Sequence, residues 1–326
     1  MSSTPARTSR PSGMTPPDPE PEVIHQLPLA YLLGLQGVAL FRAFNGEYPR
    51  EWAEARIAEM RGLLDAAAEI GGGIDVPVIA TAEAYDGWAP RYDQPRNLML
   101  EREQMLVRPI LESLPVGDAL DVACGTGRHA AYLHGLGHRV IGVDSSPGML
   151  AVARERLPDV ELHQADWLAL PLADDSVDLV VSGLALTHAR ELGPLFAELV
   201  RVLRPGGHLV VSDSRGLLEG ARLYPMVFAD RNGDPGFMRA WVHPTSAYLE
   251  AALPLGLQVR GCVEYAGHQD MVDESGTELI DDDAVERWTA REEPVDIYLL
   301  HPWAPVATNA SFMDKPTCIV WHFQLE

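Results

Sequence analysis

The sequence predicts an α/β fold: a seven-stranded, mostly parallel sheet with helices on both faces. Two observations lead there. Short β-rich runs at 119–123, 139–143, 160–164, 178–184 and 208–212 alternate with helical patterns near 128–136, 148–156 and 191–203, and that alternation builds a parallel sheet covered on both sides. The first run also ends in Cys124-Gly125-Thr126-Gly127, a glycine turn that opens straight into a helical pattern. Such a strand-turn-helix step lets the backbone approach a ligand where a Cβ would clash.

The remaining elements follow in order. Residues 1–22 are rich in Pro, Ser and Thr and cannot bury enough apolar surface to fold, so a disordered tail is expected. Residues 23–82 read as a helical addition. Leu27–Phe41 is a long apolar run, but Asp18, Glu20 and Glu22 stand where a signal sequence would be basic, and the run is too short to span a bilayer, so it reads as a buried helix. Within 49–68, Trp52, Ile57, Met60, Leu63, Leu64 and Ala67 recur at helical spacing, and Gly71-Gly72-Gly73 stops the pattern. An aromatic segment, Tyr85 to Tyr92, precedes a helix at about 98–114. The sheet-bearing unit is read as 83–326. A helix at 244–253 leads to strands at 258–264 and 317–323. The stretch between these strands is too long for a hairpin, so 266–315 is read as an inserted lid.

Composition excludes several functions. A formal net charge of −22 argues against a nucleic-acid partner and against an anionic membrane surface. The three cysteines, Cys124, Cys262 and Cys318, form no metal-ligand spacing and suggest a reducing, cytoplasmic setting. Asp281-Asp282-Asp283 reads as acids at a helix start, so no metal is expected.

Three acids mark the ligand edge. Asp121 lies in the first strand, Asp144 ends the second and Asp166 follows the third, spaced 23 and 22 residues apart. One βα unit separates each pair, which puts all three at the carboxyl edge of the sheet, where open α/β folds bind ligands. A single strand-end aspartate usually caps a helix; three in register with a glycine turn point to a ligand. The turn also suits a dinucleotide, but an acid inside the first strand does not.

These motifs, with Leu170-Pro171-Leu172-Ala173-Asp174-Asp175-Ser176-Val177-Asp178 and Leu203-Arg204-Pro205-Gly206-Gly207, resemble the class I S-adenosylmethionine-dependent methyltransferases, in particular the ubiquinone/menaquinone-type small-molecule group. The likeness is close over about 83–213 and loose beyond. It implies a Rossmann-like fold and S-adenosylmethionine as cofactor, leaving as S-adenosylhomocysteine. By the same resemblance Asp121, Ala123, Gly125, Gly127 and Leu184 serve the methionine part, and Asp144 and Ser145 the ribose. Met149, Asp166 and Trp167 serve the adenine, and Tyr92 belongs to an N-terminal lid over the cofactor.

The acceptor is expected to be a small molecule, because Ser182-Gly183-Leu184-Ala185-Leu186-Thr187-His188 lacks the Asn/Asp-Pro-Pro-aromatic turn of nucleobase-amine methyltransferases. An aromatic, indole or phenolic natural product is the expectation, with C-methylation ahead of O- or N-methylation. Arg far exceeds Lys and Ala, Gly and Pro are abundant, which fits bacterial secondary metabolism. Catalytic candidates are His188, just past the fourth strand, His243, before the 244–253 helix, and Asp213, ending the fifth strand; a histidine there suits a general base. The bland reading of all three is packing or capping. A non-catalytic cofactor-binding regulator is the alternative of another class, and a homodimer is left open.

Overall fold

The computed structural model describes residues 22–93, 98–216, 226–229, 232, 234–265 and 297–326. The chain enters through β1 (Val23–Gln26), α1 (Pro28–Phe44), α2 (Arg50–Asp65), α3 (Ala67–Ile70) and β2 (Ile74–Ile79), then α4 (Thr81–Trp88) and α5 (Leu98–Glu112). Next come β3 (Asp118–Val122), α6 (Arg128–Gly135), β4 (Arg139–Asp144), α7 (Pro147–Arg156), β5 (Glu161–Gln164), β6 (Val177–Gly183), α8 (Leu192–Val202) and β7 (Leu203–Ser214). The chain closes with β8 (Met226–Ala229), β9 (Pro235–Met238), α9 (Thr245–Ala252), β10 (Leu257–Tyr265), α10 (Ile297–Leu300), α11 (Pro305–Phe312) and β11 (Cys318–Leu325).

Seven of these strands form one Rossmann-like sheet in the order β10-β11-β7-β6-β3-β4-β5. The five from β7 to β5 run parallel, and β11 inserts antiparallel between β7 and β10. The chain moves outward from β3 to β5, then crosses back to β6 on the other side of β3. That reversal leaves a crevice at the carboxyl ends of β3 and β6, the usual ligand site of such a sheet.

Burial explains why these runs are strands. In β3, Ala119, Leu120 and Val122 are completely buried, as expected of a parallel strand covered on both faces. On one face Phe196, Leu199 and Tyr248 pack from α8 and α9; on the other Val107, Leu111, Ala130 and Leu133 pack from α5 and α6. The two long motifs of the sequence meet at the opposite, amino edge. There Arg204 donates to Asp178 (2.7 Å), Asp118 (2.9 Å) and the Ser176 carbonyl (2.6 Å). The Leu-Arg-Pro-Gly-Gly turn therefore ties the starts of β3, β6 and β7 together and takes no part in the crevice.

Two expectations need amending. Residues 23–82, read as a helical addition, also hold β1 and β2, which pair antiparallel with Val23 opposite Pro77. With β9 and β8 they form a second sheet, ordered β1-β2-β9-β8. Both strands are short, and Pro77 breaks the strand signature of the second, so the sequence pattern hides them. The reading of 266–315 as a lid is met only at its end, since 266–296 lie outside the described residues. Residues 297–312 form α10 and α11, which pack against α1 through Leu300, Ala307 and Phe312 on Leu32, Leu35 and Ala39. Arg42 secures this contact by donating to the carbonyls of Ala310 (2.8 Å) and Met313 (2.9 Å). The apolar run around Leu27–Phe41 is buried on one face only; Phe41 and Phe44 are exposed. The proposed tail, apart from Glu22, and the acidic run 281–283 fall outside the described residues.

Candidate functional site

The crevice holds a cavity with about 910 Å³ of empty space, its open mouth included. It is lined by Ala123, Gly125, Asp144, Ser145, Met149, Asp166 and Trp167 from the β3–β5 region, together with Tyr92, Leu184 and His188. Backbone strain concentrates here. Ala123 and Leu184, the residues just past β3 and β6, hold φ of 54° and 57°, a left-handed conformation that costs a non-glycine residue roughly 1 kcal/mol. Leu184 is kept there by its N–H, which donates to the Ser212 carbonyl and hydroxyl, both at 3.0 Å.

The two glycines of the turn do different work. At Gly125 (φ 55°) a Cβ would meet nothing closer than Met149 Sδ at 4.0 Å; its open side belongs to the cavity. At Gly127 (φ 79°) a Cβ would lie 2.9 Å from Leu157 Cδ1, so this glycine permits packing of the turn on α7 and does not line the cavity. The three acids also separate. Asp121 is 1% exposed and accepts from the Ala130 N–H at 2.8 Å. It holds the start of α6 beneath the glycine turn, and burial pushes its carboxyl up to about 6. Asp144 faces the cavity and accepts from the N–H groups of Gly125 (2.7 Å) and Ser146 (2.8 Å); burial raises its pKa. Asp166 is exposed at the cavity rim, its Oδ1 accepting from the Leu168 N–H.

The three catalytic candidates converge on a single turn, Leu186–His188. Only His188 lines the cavity. Asp213, 1% exposed, lies behind it and accepts from the Thr187 N–H (2.9 Å), the Ser214 N–H (2.9 Å) and the Tyr248 hydroxyl (2.6 Å); burial pushes its carboxyl up to about 7. His243 donates from Nε2 to the Leu186 carbonyl at 3.1 Å. Thr187 Oγ1 donates to the Trp241 carbonyl, and the Trp241 N–H returns to the Thr187 carbonyl. Asp213 and His243 thus clamp the backbone that carries His188. Neither touches the His188 ring, whose Nε2 meets the Tyr85 hydroxyl at 2.8 Å. Burial lowers His188 to about 4, so the ring is neutral at physiological pH.

Three further contributors stand beside the expected residues: Tyr85, which the aromatic segment placed near the cofactor without a role of its own, and Asp86 and Glu103, which the sequence reading missed. Tyr85, on α4, lines the cavity, and its ring stands edge-on to His188. Asp86 accepts through Oδ1 from the Ser146 hydroxyl (2.5 Å) and the Gly148 N–H (2.8 Å). That clasp fastens α4 to the start of α7, where Ser146 itself caps the helix by accepting from the Met149 N–H. Glu103, fully buried on α5, binds Arg128 (2.5 Å) and His129 (2.8 Å) and accepts from the Ser212 hydroxyl (2.8 Å). Its sequence signal was present: Leu100, Glu103, Val107 and Leu111 lie on one stripe of α5, so a charged residue occupies a buried position.

The fold and the crevice define a Rossmann-like α/β domain with a ligand cavity at the carboxyl edge of its sheet. Residues 120–211 match the family described as a methyltransferase domain, whose cofactor is S-adenosylmethionine. The demethylmenaquinone methyltransferase of Renibacterium salmoninarum is 36% identical over 136 residues, 40% of this chain and 57% of that protein. The malonyl-[acyl-carrier protein] O-methyltransferase of Yersinia pestis is 36% identical over 140 residues, 43% of this chain and 52% of that protein. The chain therefore spans little more than half the length of these relatives. Among solved structures, an S-adenosylmethionine-dependent methyltransferase of Mesorhizobium loti aligns with 66% of this chain and 96% of its own, at 23% identity and TM-score 0.44.

The residues fit that cofactor. A carboxylate faces the cavity beside a glycine whose missing Cβ leaves open space, with a methionine and an indole ring along the same wall. Among the described residues no group of three or more His, Cys, Asp or Glu side chains has metal-binding geometry, and no helix is long and apolar enough to cross a membrane.

Proposed function

We propose that this chain transfers a methyl group from S-adenosylmethionine to a small hydroxylated aromatic acceptor, a phenol or a hydroxylated ring system such as a quinol or hydroxyindole. The observation that carries this reading is that one cavity is lined both by Asp144, Gly125 and Met149, which we assign to the cofactor half, and by Tyr85, Tyr92 and a neutral His188, which we assign to the aromatic, acceptor-binding half. Asp144 is assigned to the ribose hydroxyls, Asp166 and Trp167 to the adenine, and Ala123, Gly125 and Leu184 to the methionine part. When bound, the sulfonium supplies an electrophilic methyl carbon.

The chain's own residues position the acceptor and manage a proton. Tyr85, Trp88 and Tyr92 form an aromatic cluster, with Trp88 and Tyr92 ring centroids 4.8 Å apart, suited to stacking on a ring. His188 is the base on which the charge of the acceptor hydroxyl's proton comes to rest. Removing that proton raises electron density at both the oxygen and the ring carbons beside it, so one device serves O- and C-methylation. C-methylation is the preferred outcome, ahead of O- or N-methylation. Asp213 and His243 act by holding the turn. The acidic composition supports a partner other than nucleic acid, and a biosynthetic role in a reducing cytoplasm fits the three free cysteines.

Mass-spectrometric detection of S-adenosylhomocysteine and methylated product against a panel of naphthols, hydroxyindoles and phenols tests the reading. Turnover with a ring-methylated product supports it. S-adenosylhomocysteine binding without turnover on any acceptor would favour the non-catalytic regulator instead.

A further inference from the structure

The aromatic half of the cavity contains a hydrogen bond whose direction can be deduced. His188 Nδ1 has the Arg239 carbonyl as its partner, at 3.4 Å, and a carbonyl only accepts. The Nδ1 atom therefore carries the hydrogen, and Nε2 of the neutral ring presents a bare lone pair. Nε2 lies 2.8 Å from the Tyr85 hydroxyl, so Tyr85 donates and His188 accepts. Donation fixes the phenol hydrogen and leaves both lone pairs of the Tyr85 oxygen free to accept. Tyr85 lines the cavity, and among the described residues no donor engages that oxygen.

We propose that Tyr85 is a catalytic residue and forms, with His188, a two-step proton shuttle, which selects acceptors that bring an O–H group. The proposal deepens the methyl-transfer reading and rests on it. The acceptor's O–H bond breaks with its electron pair left on oxygen, and the proton bonds to the Tyr85 oxygen. The Tyr85 O–H bond breaks in concert, and that proton bonds to His188 Nε2. Tyr85 ends neutral, the acceptor oxygen carries the negative charge and the imidazole the positive one. Both stages follow hydrogen bonds, one of them already formed.

Environment and geometry favour the concerted path. Burial, then Tyr92, Asp144 and Asp213, raise the Tyr85 hydroxyl well above its ordinary value, so a free tyrosinate is not formed; Tyr85 relays a proton only as it gives one. The His188 ring is low at about 4 through burial, so it stands unprotonated; the same burial opposes the imidazolium, which therefore forms only together with the acceptor oxyanion that balances its charge. The turn behind it is fixed by Asp213, Trp241 and His243, and the α4 helix carrying Tyr85 is clasped by Asp86 onto α7. Both members of the dyad are therefore held on rigid supports, although they come from segments 103 residues apart.

Two measurements test the shuttle. The first is ¹⁵N-histidine NMR of the full chain with S-adenosylhomocysteine, the His188 signals being identified by their loss in His188→Gln. The expected result is an Nδ1–H tautomer, with the Nε2 signal displaced in Tyr85→Phe; an Nε2–H tautomer, or no response to Tyr85→Phe, overturns the dyad whether or not any acceptor is turned over. The second compares kcat on 4-methoxyphenol, phenol and 4-nitrophenol. Tyr85→Phe should lose about 10²-fold or more on the weakly acidic phenols and much less on 4-nitrophenol, which ionises before binding. An equal loss across the series marks a merely structural role and overturns the proposal. Turnover by the parent on 1-methylindole but on no phenol overturns the shuttle and leaves methyl transfer standing. No turnover on either, with S-adenosylhomocysteine bound, rejects the methyl-transfer reading and the shuttle's catalytic role together.

Discussion

Replacing Glu103 with Gln removes a negative charge from a fully buried site and leaves Arg128 and His129 facing a neutral amide. The magnitude follows from the ionisation of the parent carboxyl. Burial alone would raise it, but the charges of His129 and Arg128 and their hydrogen bonds outweigh burial and hold it at about 2, against an ordinary 4.5. That depression corresponds to about 3 kcal/mol of folded-state stabilisation, and breaking a buried ion pair costs about 3–5 kcal/mol on independent grounds. Glu103→Gln should therefore lower the unfolding free energy by about 3 kcal/mol, read from urea denaturation at neutral pH. The pH dependence has a definite sign. A carboxyl depressed in the folded state contributes fully above its unfolded value and loses that contribution as pH falls, here between 4.5 and about 2. Parent and variant should converge over that window. A stability loss below about 1 kcal/mol, or a parallel acid limb in both proteins, would refute the view that Glu103 is ionised and anchors α5 to α6.

Asp144→Ala should weaken S-adenosylhomocysteine binding by about 1.5–3 kcal/mol, the worth of charge-assisted hydrogen bonds; unchanged affinity by calorimetry would remove the ribose assignment. Gly127→Ala should cost about 1–2 kcal/mol through its positive φ and the contact with Leu157, visible as a lower Tm, whereas Gly125→Ala should act mainly on cofactor affinity. Asp86→Ala removes an acceptor from the start of α7 and should lower stability by about 0.5–2 kcal/mol and speed S-adenosylhomocysteine release in stopped-flow. DNA and tRNA should show no binding at physiological salt; tight, salt-sensitive shifts would contradict the charge argument.

The large sheet was legible because its signals are local. Apolar runs separated by helical periods, and a glycine turn after the first of them, can be read without knowing any tertiary contact, and the β3 to β7 alternation follows from them. One wall of residues around the cavity was legible for the same reason, since strand ends in a parallel sheet share one edge and Asp144, Met149 and Asp166 each follow a strand and line it. The second sheet was not legible. Its strands β1, β2, β8 and β9 are short and come from distant parts of the chain, and their pairing is defined only by the partners they find.

The sequence by itself determined the sheet and its ligand edge, because period, turn and strand-end residue type are properties of neighbouring positions; the class of the cofactor came from the family that those motifs resemble. Only the tertiary structure decided what each candidate does. Asp121 and Asp144 look alike in sequence, yet one is sealed under the glycine turn and the other faces the cavity. His188, Asp213 and His243 were equivalent candidates until the fold put one ring in the cavity and the other two behind its turn. The partner of His188 comes from α4, 103 residues earlier. Hydrogen-bond direction and burial depend on which distant groups arrive at the same place, and spacing along the chain does not encode that.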